Sequence, residues 1–97
     1  MSEALIFEFN GVSVDDYNRV NDVLGFDPKT GAGDQPAGLL SHTAAAKENG
    51  LVVFELWSSR ADQETFLATR LGAALGQTGV PAPTRMEWLT VVGQFTA

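Results

Sequence analysis

The stretch from Leu51 to Leu75, LVVFELWSSRADQETFLATRLGAAL, limits what this chain can fold into more than any other part of it. An unbroken apolar run reaches Trp57, two serines interrupt it, and a helical pattern follows. Ser59 is placed to cap that helix, with Asp62 three residues on. Phe66, Leu67, Leu71, Ala74 and Leu75 recur at helical spacing, and Gly76 is read as its end. A strand this apolar is stable only inside a sheet that a helix covers.

The rest of the chain supplies the partners. Residues 4–12, ALIFEFNGV, alternate as a first strand, with Leu5, Phe7 and Phe9 on one face and Ile6 and Glu8 on the other. Ser13 and Asp16 have capping-box spacing, and Val12 and Tyr17 occupy the staple positions. Val14, Tyr17, Val20 and Leu24 then make the buried stripe of a first helix that stops at Gly25. Residues 25–38, with four glycines and two prolines, must form a loop. Asn49-Gly50 turns a hairpin over residues 39–57. Taking those two as the turn sets Ala44 against Glu55 and His42 against Trp57. Leu40, His42, Ala44, Val53, Glu55 and Trp57 then share one face. Val52, Phe54 and Leu56 share the other, which lacks charge and is therefore assigned to the helices. After a 77–83 linker, residues 85–95 read as a last strand.

The order β-α-β-β-α-β predicts one α+β domain over residues 1–97. It is ferredoxin-like, a four-stranded antiparallel sheet with two helices on one face and the first and third strands central. The uncovered face is then assigned Ile6, Val53, Trp57, Met86, Trp88 and Val92. That is too much apolar surface for water, and a second copy of the chain is the simplest cover.

Charge and composition narrow the function. Twelve acidic against six basic side chains give a net charge of −6, which argues against nucleic acid or an anionic membrane surface as partner. With no cysteine, disulfides, thiolate catalysis and Cys-ligated zinc are excluded. No leader or membrane span is recognisable, so a cytoplasmic protein is expected.

The layout and the stretch FELWSSRADQETFL resemble the small dimeric α+β barrel proteins, in particular the antibiotic-biosynthesis-monooxygenase-like group. Trp57, the serines after it and Phe66-Leu67 carry the resemblance. It implies a homodimer with a cleft, and activities ranging from cofactor-free oxidation of aromatic compounds to haem degradation, isomerisation and simple binding. The haem-degrading members use an Asn on the first strand, a Trp on the third and a His on the second helix. Asn10 and Trp57 match two of these, but the second helix has no His.

His42, the sole imidazole, suits proton transfer near neutral pH, and Glu55 is placed to orient it. These two are the expected catalytic pair. Glu8, Asn10, Trp57, Met86 and Trp88 are the expected ligand contacts, the indoles by stacking on a planar molecule. A set of His42, Glu55 and Glu8 is the one conceivable metal site, and neither a metal nor a cofactor is expected. The sequence thus describes a dimer that holds an apolar or aromatic small molecule in a cleft. The alternative is a cofactor-independent monooxygenase or isomerase acting on an aromatic substrate.

Overall fold

The computed structural model describes residues 2–97. Its elements run β1 (Glu3–Asn10), α1 (Val14–Leu24), β2 (Leu39–Lys47), β3 (Gly50–Trp57), α2 (Arg60–Phe66), a π turn (Leu67–Leu71), α3 (Gly72–Thr78) and β4 (Arg85–Thr90). The strands form one antiparallel sheet in the order β2-β3-β1-β4, so the first and third strands are central, as expected. Both helical segments pack on one face of it. Among the described residues, no helix is long and apolar enough to cross a membrane.

Local chemistry sets the helix ends. Ser13 Oγ accepts from the Asp16 N–H while Asp16 accepts from the Ser13 N–H, a complete capping box. Gly25 ends α1 in the left-handed region at φ 79°, where its missing Cβ removes the steric cost. Ser59 caps α2, and Glu3 on β1 accepts the Arg60 N–H at 2.8 Å, tying that helix start to the sheet. Val14, expected in the buried stripe of α1, is 51% exposed, whereas Asn21 is buried.

The second helix differs from its expected form. It does not stop at Gly76; α2, the π turn and α3 run on to Thr78, and Gly79 is the left-handed cap. Inside the π turn the Gly72 N–H bonds back to the Leu67 carbonyl, five residues away. That extra residue brings Phe66 and Leu71 to the same wall, although five residues of α-helix would set them about 140° apart. The last strand is also shorter than expected. β4 ends at Thr90, and Val92 and Phe95 beyond it are almost fully exposed.

The main correction concerns the faces of the sheet. β1 pairs Leu5 with Glu55 and Phe7 with Val53, so these residues lie together under the helices. Leu5 and Trp57 are fully buried there, in a cluster with Phe7, Val53 and Phe66. Each such side chain stabilises the fold by about 1.5–3 kcal/mol. The open face instead carries Ile6, Glu8, Val52 and Phe54. Met86 and Trp88 sit opposite Phe7 and Leu5, hence on the helix side as well. The expectation failed because it treated Glu55 as a charge that must face water.

The hairpin turn is Glu48-Asn49, one residue earlier than expected, with Lys47 opposite Gly50 and His42 opposite Glu55. Asn49 takes the left-handed conformation at φ 56°. Gly50 is needed for a different reason: a Cβ there would collide with the Phe9 carbonyl of β1. A bulge between Leu39 and Ser41 then sets Leu39, not Leu40, opposite Trp57.

Candidate active site

A cavity of about 500 Å³ lies between the sheet and the helices, within the range typical of small-molecule sites. Phe7, Phe9, Leu24, Phe66 and Leu71 give it apolar walls. The 25–38 loop closes one side and is held by its own hydrogen bonds. Asp27 Oδ1 accepts from the Lys29 N–H at 2.9 Å, and the Gly31 N–H reaches the Asp27 carbonyl at 2.8 Å. The Lys29 N–H holds the Asp27 carboxyl below the usual carboxylate range.

Three hydrogen-bonded contacts run in series along the sheet side of this cavity. Tyr17 Oη is 2.6 Å from His42 Nε2, His42 Nδ1 is 2.7 Å from Glu55 Oε2, and the Trp57 indole N–H donates to Glu55 Oε1 at 3.0 Å. Each link follows from position. His42 and Glu55 are direct cross-strand partners, so their side chains meet on one face. Trp57 follows Glu55 by two residues and therefore points the same way. Tyr17 comes from α1, one helix turn after the Ser13 cap, where it packs with the buried Val12 cluster.

Electrostatics favour one hydrogen arrangement. Glu55 is buried, and a buried carboxylate needs donors at its oxygens. An indole can only donate, so Oε1 accepts. With Oε2 accepting too, His42 carries its hydrogen on Nδ1 and presents a lone pair at Nε2 to the Tyr17 hydroxyl. Burial, joined by the Glu55 charge and against a smaller opposing effect of Asn21, pushes the Tyr17 phenol above its ordinary value. Tyr17 therefore stays protonated and can act as the donor.

The sequence-based candidates thus divide. His42 and Glu55 meet at the cavity. Trp57 touches the site only through its N–H; its ring is fully buried against Phe66 and does not line the cavity. Trp88 packs on the core beneath the Arg60 guanidinium, 5.4 Å away, and Met86 lies half-exposed on the edge strand; neither lines the cavity. Glu8 and Asn10 are on the opposite face, where both accept from Lys47 Nζ, at 2.7 and 2.6 Å. Glu8 therefore does not join His42 and Glu55, and among the described residues no three metal-ligating side chains converge. Tyr17 was missed as a functional candidate because its spacing from Val12 already explained it as a staple. The available signal was that it is the only hydroxyl on the apolar stripe of α1.

No protein-family model and no curated protein matches the sequence. Solved structures do match. A Chloroflexus aurantiacus J-10-fl protein described as a candidate antibiotic biosynthesis monooxygenase aligns over 99% of this chain and 98% of its own, with TM-score 0.67 and 15% identity. Rv0793 from Mycobacterium tuberculosis aligns over 99% and 100%, with TM-score 0.66 and 15% identity. SnoaB from Streptomyces nogalater, a cofactor-independent oxygenase, aligns (as a point mutant) over 99% and 96%, with TM-score 0.60 and 14% identity. At these identities it is the fold that is shared: the chain has the α+β fold of the antibiotic-biosynthesis-monooxygenase-like proteins.

Proposed function

We propose that this protein binds an apolar, aromatic small molecule between its sheet and helices and removes a proton from it, with His42 as the base and Glu55 as its orienting carboxylate. The observation that carries this reading is the unbroken series Tyr17–His42–Glu55–Trp57 along an apolar cavity. A carboxylate that fixes the imidazole tautomer and stabilises the imidazolium is a recurrent way to build a base. The acidic molecule chosen by such a site becomes an electron-rich anion. Dioxygen can oxidise that anion without flavin or metal: an activated CH2 becomes C=O, O2 supplies the carbonyl oxygen, and the second oxygen leaves as water. The likeness of fold to a cofactor-independent oxygenase supports this outcome over isomerisation.

Dithranol, an anthrone with an activated CH2, is the test compound. Aerobic turnover should consume one O2 per quinone formed, and His42→Ala should slow it by roughly a hundredfold or more. An unchanged rate in that variant would remove His42 from the chemistry. A pure binding role has one observation in its favour, namely that both ring nitrogens of His42 are already engaged.

The same proposal includes a homodimer joined through the open face. Ile6, Phe54 and Leu89 form its apolar surface, with Phe54 42% and Leu89 39% exposed, and Val92 extends the apolar surface beyond β4. Light scattering should give twice the 10.3 kDa chain mass. Phe54→Asp should bring it down to the single chain.

A further inference from the structure

We propose that Tyr17, not His42, is the group that meets the acidic proton of the substrate, and that it relays the proton inward to His42. This rests on the proton-transfer reading above and adds the path.

Spare hydrogen-bonding capacity decides which group can meet a substrate. A neutral imidazole has one N–H and one lone pair. In His42 the Nδ1–H is held by Glu55 and the Nε2 lone pair accepts from Tyr17, at 2.7 and 2.6 Å. Glu55 is engaged at both oxygens, and the Trp57 N–H is committed and buried. Neither ring nitrogen of His42 nor the Trp57 N–H can take up a substrate without breaking a bond, and Glu55, whose oxygens keep spare lone pairs, is buried. Tyr17 Oη differs. It gives its one hydrogen to His42, but an oxygen that donates keeps its acceptor lone pairs. Tyr17 and His42 both line the cavity.

The relay is balanced. The substrate X–H bond breaks as a new O–H forms on Tyr17. The original Tyr17 O–H breaks as an N–H forms on His42 Nε2. The products are the substrate anion, a neutral Tyr17 and an imidazolium facing the Glu55 carboxylate. No electrons leave or enter at this step. The raised pKa of the phenol fits the role, because Tyr17 is neutral before and after the transfer. The competing route has Tyr17 swing away so that X–H bonds directly to Nε2.

Tyr17→Phe separates the two routes. The first probe is para-nitrophenol, offered at a pH slightly below its own pKa, where its colour reports ionisation. The wild-type protein should bind and ionise it. Tyr17→Phe should bind it but ionise it at least about tenfold less, because the ring cannot relay; retained burial of Trp57, read by fluorescence, confirms the fold. The second probe is dithranol, for which Tyr17→Phe should lower kcat by roughly a hundredfold with KM little changed. If Tyr17→Phe ionises para-nitrophenol or turns over dithranol as well as the wild type or better, the substrate reaches Nε2 directly and the relay is wrong. His42→Gln should abolish ionisation. If it does not, the choice of base fails, a different failure from that of the relay. Wild-type protein that neither binds nor ionises the phenol would overturn both.

Discussion

Glu55 and Glu8 lie on opposite faces of the sheet, each within a central strand, and the two are held in opposite ways. Glu55, on β3 under the helices, is buried and accepts from an imidazole and an indole. Glu8, on β1 on the open face, is partly exposed and faces cations: Lys47 at 2.7 Å and Arg85 at 3.8 Å. A carboxylate among aliphatic side chains is thus not a reliable marker of the wet side. A donor at each oxygen can hold it in the core, and a carboxylate held that way is poised against an imidazole. The Glu8 cluster offers charge pairing only, screened by solvent.

The comparison predicts the largest effects on the covered face. Glu55→Gln sets an NH2 group against either the Nδ1–H or the indole N–H, both donors. It should cut dithranol turnover by roughly 10²–10⁴-fold, as a lost tautomer does, while the protein still folds. Equal activity would mean that Glu55 is merely structural. Trp57→Ala should destabilise the fold by about 3–5 kcal/mol in denaturant titration, since a fully buried indole is lost and Glu55 loses a donor.

Gln63 sharpens the rule that buried polar groups need partners. It is fully buried on α2, and among the described residues neither its Oε1 nor its Nε2 has one. Gln63→Met should therefore raise stability by roughly 1–3 kcal/mol. A loss instead would reveal a partner for its amide.

The smallest effect belongs to the open face. The Lys47 hydrogen bond and charge hold the Glu8 carboxyl below its ordinary value. A lowered carboxylate stabilises the folded state above its unfolded pKa, and that stabilisation is lost as pH falls through the folded value. Glu8→Gln should therefore be modestly less stable than wild type at neutral pH and indistinguishable from it in strong acid. A difference that persisted in acid would show that the pair acts through packing rather than charge.

How much of this was legible depends on the kind of signal. Element order could be read because capping residues, Gly25 and the turn signal at Asn49 act locally. The meeting of His42 and Glu55 could be read because alternation puts them on one face under any two-residue change of turn length. The choice of face could not, since β3 is apolar on both sides and its only charge is satisfied internally. Tyr17 joins the site across 25 residues of sequence, a distance no periodicity spans. The π turn leaves no trace in LATRL, because its five residues are ordinary helix formers.

That turn makes the second helix sensitive to added length rather than to composition. Substitutions at its exposed positions, such as Ala68 and Thr69, leave the surplus residue in place. Deleting one residue would let the helix close into regular α form with Phe66 and Leu71 four positions apart, about 40° from each other, so the two halves keep a common face. Ala74 would stay on the core side, and Leu71 and Leu75 on the cavity side. A one-residue gap within Leu67–Leu71 should therefore be tolerated, whereas one further inserted residue should turn the half of the helix that bears Ala74 away from the half that bears Phe66.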